Sequence, residues 1–332
     1  MRSPLPEIAQ AAEFFTPFTG SFDQEALEKW LAEELPTRPG TRLLVPENIV
    51  HIISGNTTHA AWQTLLHGLL LGTKNRLKLP SEGLPNFEEK IAQLPQTLRD
   101  LIETSRTLPS HWIDEAGALI VYGSDATIRH FRELAPLEIP FIAHGHRIGI
   151  AIIDEPSTEA AQLAARDICQ FDQSGCLSLQ TLFLEDPRAF APLLAKALSD
   201  FQKSHPRREL TPSDHGAISN LRHETRYLQA QEPDKHHLWQ SEESTHWTII
   251  HQDSPELTPS PGNRTVFLKP LNQFPKVSTQ HLSGIALHPF RERTDLPSPR
   301  IFPLGQTQTP PFGWAHDGIL PLRSLVRIQT LA

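Results

Sequence analysis

Two cysteines, Cys169 and Cys176, are the strongest nucleophiles that the chain offers, and their surroundings differ. Cys176 sits in Phe171-Asp172-Gln173-Ser174-Gly175-Cys176-Leu177-Ser178. Gly175 gives the backbone freedom just before the thiol. A thiol in a Gly/Ser turn, after a helix and before a buried strand, is placed as an exposed nucleophile that attacks a carbonyl carbon as the thiolate. Such a turn also aims backbone N–H groups at a developing oxyanion. The same residues accommodate a small buried hydrophobe, the commonest role of a free cysteine, so the turn alone leaves both roles open. Cys169 lies inside a predicted helix among apolar neighbours and reads as structural. The spacing of the two cysteines carries no metal site. Nor do the 17 histidines, His236-His237 included: no His-x-x-x-His or Cys/His pattern joins them, and no metal is expected. His316-Asp317-Gly318 puts an imidazole beside a carboxylate, but adjacent side chains seldom face each other, and the triplet reads as a tight turn closed by Gly318.

The elements that must position Cys176 follow from hydrophobic periodicity. Gln24 to Leu35 has Leu27, Trp30, Leu31 and Leu35 at helical spacing, and residues 1–40 read as polar helical pieces, a cap or an oligomer arm. Ile49 to Ile53 is a strand ending at the turn Ser54-Gly55-Asn56, followed by a helix over 60–71. A basic stretch, Lys74 to Lys78, runs to Pro80-Ser81, and 86–107 reads as a further helix. Ala118 to Tyr122 is a strand stopped by Gly123-Ser124, with a helix over 126–134. Phe141-Ile142 and Ile148 to Ile153 are strands. A helix over 157–171 has Ser157 or Thr158 as its cap, Leu179 to Leu184 is a strand, and 186–203 is an amphipathic helix. The stretch 205–262 reads as polar, rich in His and Pro, and irregular at its end. Arg264 to Leu268 is a strand, and short strands follow among prolines up to Val326. Alternating strands and helices predict an α/β fold with mainly parallel sheets.

Composition narrows the class. A chain of 332 residues corresponds to about two domains. The formal charge is −8, with no clustered basic face, which argues against a nucleic-acid partner. No apolar run approaches the roughly 18 residues of a membrane span, and Met1 to Glu7 has no apolar core of a signal peptide. Two cysteines build no disulfide framework, so a reducing, cytoplasmic setting is expected. Thirty prolines, nearly twice the roughly 5% norm, predict many short fixed connections.

Several segments, in order, resemble the acyl-CoA reductase family, the type that includes the fatty-acid reductase of bacterial bioluminescence, within the aldehyde dehydrogenase superfamily. These are His51-Ile52-Ile53-Ser54-Gly55-Asn56, Gly68 to Asn75, Lys78-Leu79-Pro80-Ser81, Val121-Tyr122-Gly123-Ser124, Phe171 to Cys176 with Gln180, and Pro310 to Gly318 with Leu322, Leu325 and Val326. The resemblance implies two intertwined α/β domains: a nucleotide-binding domain over 1–148 joined by a returning segment over 300–332, and a catalytic thiol domain over 149–299. It implies thiol attack on an acyl-CoA or other acyl thioester, release of the carrier, then hydride delivery from NADPH to give the aldehyde.

The resemblance also assigns residues. Cys176 is the nucleophile. Asn56 stands where the superfamily binds the oxyanion with an amide. Lys78 stands at the lysine that contacts the adenosine ribose. Ser81 replaces a glutamate of NAD-preferring relatives, which tilts the site toward NADP because a carboxylate repels a 2′-phosphate, although Glu82 follows directly. Gly123 and Ser124 let the chain pass close to the pyrophosphate at a helix N-terminus, and Gly145 belongs to the same cofactor edge. In Ala143-His144-Gly145-His146-Arg147, Ala143 replaces the glutamate base of hydrolytic aldehyde dehydrogenases, which suits a reductase; His144 is the nearby group able to serve as a base. The chain is a short member of this superfamily, with material expected to be missing before residue 45. A homo-oligomer or a partner acyl-transfer enzyme fits such chemistry. Rival functions are an acyl transferase using the same thiol without hydride transfer, a non-catalytic interaction subunit, and an acyl-phosphate reductase.

Overall fold

A computed structural model describes residues 4–36, 38–55, 58–242, 244–276, 281–296 and 298–331. The chain forms two compact units, Met1–His146 with Pro310–Ala332, and Arg147–Thr309. Both layer helices on mainly parallel sheets, the α/β class that the alternation predicts.

The first unit opens with helices α1 (Leu5–Gln10), α2 (Ala12–Thr19) and α3 (Gln24–Glu34). Asp23 caps α3 by accepting from the Ala26 N–H at 2.8 Å. Ile8, Phe15, Leu27 and Trp30 are buried with Trp62, Leu65 and Leu69 of α4 (Thr58–Leu70) in one core, so this segment is a cap on the unit.

Strand β1 (Thr41–Leu44) precedes β2 (Asn48–Ile52), α4 and β3 (Lys74–Lys78). Helices α5 (Phe87–Ala92) and α6 (Gln96–Arg99) lead to β4 (Ile102–Ser105). Then come α7 (Ser110–Asp114), β5 (Ala118–Tyr122), α8 (Asp125–Leu134) and β6 (Phe141–His144). The sheet order is β4-β3-β2-β5-β6, parallel throughout. One stretch gains an element here, and one expectation is corrected. The basic stretch 74–78 is a strand, because Asn75 and Leu77 alternate inward. The helix expected over 86–107 breaks at Pro95 into two short helices and a strand.

The second unit runs β7 (Ile148–Ile153), α9 (Thr158–Cys169), β8 (Leu179–Leu184), α10 (Pro187–Ser204) and α11 (Pro212–Gln231). Strands β9 (His236–Gln240), β10 (Thr248–Gln252), β11 (Thr265–Pro270), β12 (Leu282–His288) and β13 (Ile301–Pro303) follow. Their order is β13-β12-β7-β8-β11-β10-β9, with only the β9–β10 pair antiparallel among the described pairings. The polar stretch 205–262 holds a 20-residue helix and two strands, and its end, over 253–262, is irregular as expected. The helix starts on a capping box between Thr211 and Asp214 with proline at its first position.

The chain then returns to the first unit. Strand β14 (Arg327–Thr330) pairs antiparallel with β1, and Leu322 and Leu325 enter the first core. Buried Glu34 accepts from the Leu322 N–H at 2.7 Å and the Arg323 N–H at 3.1 Å, which fixes the returning segment to α3.

Candidate active site

Cys176 is exposed on a tight turn in which the Ser178 N–H donates to the Gly175 carbonyl at 3.0 Å. The turn is held on both sides. Buried Ser178 accepts from Gln308 Nε2 at 2.9 Å. A Cβ on Gly175 would come within 2.9 Å of Gln308 Oε1, so glycine lets the turn lie against that side chain. Before the turn, Phe171, Asp172 and Gln173 have φ of 54°, 51° and 64°, a left-handed run that L-residues rarely adopt. Side chains pin this run: Gln173 donates to the Leu179 and Thr265 carbonyls at 2.7 Å each, and Asp172 pairs with buried Arg264 at 2.7 Å. Helix α9 thus ends at Cys169 and the chain is steered sharply into the thiol turn.

The segment behind the turn carries charge. Arg300 donates to the Thr307 carbonyl at 2.9 Å and the Gln306 carbonyl at 3.3 Å and lies over the Phe302 ring. Burial pulls its guanidinium down to about 10, opposed by attraction to Asp167 and to Cys176. Asp167 accepts from the Gly305 N–H at 2.7 Å and the Thr307 N–H at 3.2 Å. Burial raises it to about 6, against the lowering effect of those bonds. A positive group in electrostatic reach of Cys176 favours the thiolate. Cys169 is the opposite case: burial pushes its thiol up to about 12, where it is inert.

In the first unit, polar groups gather at the carboxyl edge of the parallel sheet. Lys78 ends β3 and lies beside Ile52, the last residue of β2. Tyr122 ends β5 opposite His144, which ends β6. The chain crosses from one side of the sheet to the other between β2 and β5, where open α/β sheets hold ligands. Gly123 follows β5, and a Cβ there would sit 2.9 Å from the Thr127 side chain, so its absence lets the strand pass tightly into helix α8. Ser124 caps that ten-residue helix through the Thr127 N–H at 3.2 Å. A strand, a glycine and a helix N-terminus at a switch point are the elements from which anion-binding sites are commonly built.

Four rings stack at this edge. Tyr122 lies on His144 (centroids 4.5 Å, planes 19° apart), His144 on His316 (4.3 Å, 24°), and His316 on Trp314 (4.7 Å, 29°). His144 Nδ1 is 2.8 Å from Asp317 Oδ2, with side-chain exposures of 9% and 3%. The turn His316–Gly318 is present, as expected. The reading of Asp317 as a turn residue only is corrected, because its side chain is engaged by a histidine far away in the sequence.

A family model described as acyl-CoA reductase (LuxC) matches residues 24–328. The chain belongs to the acyl-CoA reductase (LuxC) family. Curated relatives of this LuxC-family chain include long-chain acyl-protein thioester reductase 2 of Photobacterium leiognathi, 24% identical over 306 residues that cover 83% of this chain and 62% of that protein. The long-chain acyl-protein thioester reductase of Aliivibrio fischeri is 22% identical over 307 residues, 84% of this chain and 62% of that protein. The chain therefore spans about 62% of the length of these relatives. Solved structures show the same fold. A putative aldehyde dehydrogenase PutA from Anabaena variabilis superposes with a TM-score of 0.67 at 15% identity, covering 98% of this chain and 85% of that one. The NADP-dependent glyceraldehyde-3-phosphate dehydrogenase of Bacillus halodurans C-125, complexed with NADP, gives 0.63 at 14% identity, covering 98% and 79%.

Of the site residues expected for a LuxC-family chain, Lys78, Gly123, Ser124, His144 and Gly145 fall together on the carboxyl edge of the first sheet. Ser81 lies just past β3, exposed. Cys176 belongs to the second unit. Asn56 lies outside the described residues. Sequence reasoning missed Arg300, Asp167 and Gln308 behind the thiol turn, and the pairing of Asp317 with His144. Nothing in the local sequence announces these partners. Only the motif ending Trp314-Ala315-His316-Asp317-Gly318 pointed to its region.

Proposed function

We propose that this LuxC-family chain reduces an acyl thioester to the aldehyde with NADPH, through an acyl-enzyme on Cys176. The observation that carries the proposal is the contrast between the thiols: Cys176 is exposed on a clamped turn within electrostatic reach of Arg300, while Cys169 is buried.

In the first half-reaction the Cys176 sulfur attacks the acyl carbonyl. The bond to the carrier sulfur breaks, and the proton lost by Cys176 leaves on the carrier thiol. His144 is the proposed proton carrier. In the second half-reaction NADPH, when bound, supplies the hydride to the acyl carbon. The carbon–sulfur bond to Cys176 then breaks, the aldehyde departs, and the Cys176 thiolate takes up one proton. Each turnover consumes one thioester, one NADPH and one proton, and yields aldehyde, carrier thiol and NADP.

For the cofactor, the helix N-terminus after Gly123 suits the pyrophosphate, Lys78 at the end of β3 suits the adenosine ribose, and Gly145 keeps the β6 edge low. Ser81, in place of a carboxylate, accommodates a 2′-phosphate. For the carrier, the sequence points to CoA, while the relatives are named for acyl-protein thioesters and long chains. A thioester on a protein or on CoA presents the same reacting atoms.

The test is intact mass spectrometry after exposure to acyl-CoA or acylated protein, with and without NADPH. An acyl mass on Cys176 that disappears with NADPH as aldehyde accumulates is expected. Stable acylation that NADPH leaves in place would favour the transferase instead, and no acylation at all would remove the thiol mechanism.

A further inference from the structure

The Asp317 side chain is almost fully buried, yet its oxygen faces two imidazoles. His144 Nδ1 lies at 2.8 Å and His316 Nε2 at 3.9 Å. Asp317 itself has a φ of 55°, a left-handed conformation that Asp tolerates better than most residues. That conformation lies inside a turn closed by two bonds, from the Gly318 N–H to the Ala315 carbonyl at 3.1 Å and from the Ile319 N–H to the His316 carbonyl at 2.9 Å. The turn is built so that the ring of residue 316 stacks on His144 while the carboxyl of residue 317 meets the edge of the same His144 ring. Two neighbouring residues thus hold His144 by its ring and by one of its nitrogens, and the Tyr122 ring packs on His144 as well, 6.0 Å from His316.

We propose that Asp317 is a positioning residue for His144, accepting the proton on Nδ1 so that Nε2 is the nitrogen left to exchange a proton with the reacting groups. This rests on the reading of His144 as the proton carrier of thioester exchange. The chemistry is that of a carboxylate–imidazole pair: the acceptor selects the tautomer, fixes the ring, and stabilises the imidazolium formed when Nε2 takes a proton. Nothing is oxidised or reduced in this step. One proton passes to Nε2 and later leaves from it.

The same residues invite a metal. His144, His316 and Asp317 each offer a ligand atom, and these atoms lie within 4.8 Å of one another. The ring geometry speaks against it. Imidazole binds a metal through a lone pair in the ring plane, at about 2.0–2.1 Å for zinc. Two rings stacked at 4.3 Å with planes 24° apart direct their lone pairs side by side rather than toward one point. A shared ion would require one ring to turn out of the stack, whereas the Asp317 bond to His144 is already formed.

The experiment is nitrogen NMR of the full chain with selectively labelled histidine, coupled to the rate of acyl-enzyme formation. In the unaltered protein the neutral His144 ring is expected to carry its proton on Nδ1. A proton on Nε2 instead would overturn the proposal without any variant. Asp317→Asn keeps the size and tolerates the same backbone. It is expected to mix the tautomers of His144 and to slow Cys176 acylation by roughly 10²-fold. Slowing with the tautomer unchanged, or an unchanged tautomer and rate in folded D317N, would overturn positioning. Addition of one equivalent of zinc should leave the His144 and His316 signals in place; stoichiometric shifts of both would make the cluster a metal site and overturn the proposal. His144→Gln separates the two readings. If H144Q acylates at the normal rate while D317N still mixes the tautomers, the proton-carrier reading falls and the positioning stands.

Discussion

Two buried groups, His51 in the first unit and Asp167 in the second, respond to acid in opposite senses. In the first unit His51 is fully buried, its ring nitrogens 2.7 Å from Thr64 Oγ1 and 3.1 Å from Asn75 Oδ1. Burial lowers it from 6.5 to about 4, with the Asn75 bond opposing. His67 is lowered further, to about 3, by burial and by the nearby His144, His51 and His316. A depressed imidazole favours the folded unit in full above pH 6.5, and that stability is lost as pH falls toward 4. In the second unit Asp167, raised from 3.8 to about 6, favours the folded unit in full below pH 3.8. Its contribution is lost as pH rises toward 6. The unit proposed to hold the cofactor is thus built for neutrality, while the thiol unit bears a carboxylate that neutral pH strains. The lesson is that the segment leading to Gln308 is held by a carboxyl that bonds the Gly305 and Thr307 N–H groups although burial opposes its ionisation.

The largest expected effect bears on function. Cys176→Ser should lower aldehyde formation by at least about 10³-fold, whereas Cys169→Ser should leave the rate within twofold; equal losses in a steady-state assay would erase the distinction between the thiols. Next is Asp172→Ala, which leaves the Arg264 guanidinium buried beside Gln202 and His205 without its carboxylate. Removing one partner of a buried pair costs about 3–5 kcal/mol. Amide exchange in β8 and β11 should speed up accordingly, with β2 and β3 unchanged.

A third test addresses the acid responses themselves. Between pH 6.5 and 4, the His51 shift corresponds to roughly 3 kcal/mol lost from the first unit. His51→Gln should flatten that slope, as read by exchange at β2. Asp167→Asn should remove a slope of similar size and opposite sign between pH 3.8 and 6, read at α9. Slopes of the same sign in both units would break the comparison. The smallest effect is at Arg300. Arg300→Gln should slow alkylation of Cys176 by iodoacetamide at neutral pH by roughly fivefold, and Arg300→Lys should restore most of it.

Much of this architecture is legible in the sequence because apolar runs announce buried strands. Ile49 to Ile53, Ala118 to Tyr122 and Leu179 to Leu184 all become strands at the expected places. Lys74 to Lys78 hides its strand because one of its two buried positions is Asn75, satisfied by His51 rather than by hydrophobicity. Helix α11 hides because only Ile218, Arg222 and Thr225 are buried along its 20 residues; the signal present was the Thr211-Pro212 start with Asp214, a capping pattern rather than a periodic one. For the site, the thiol turn is readable because Gly175 and Cys176 are local. The partners of that turn are not. Gln308 is 130 residues from Ser178, and Asp317 is 173 residues from His144, and no local preference encodes a contact at that range.

The pairing of β1 with β14 has a consequence for how the protein is made. Leu322, Leu325 and β14 leave the ribosome only after the whole second unit. At about 5–20 residues per second, the first unit waits roughly ten to thirty seconds with part of its core uncovered and the N–H groups on Leu322 and Arg323 not yet delivered to Glu34. The continuous second unit can close during that wait. Synthesis therefore favours the thiol unit maturing before the unit whose core waits for the returning segment.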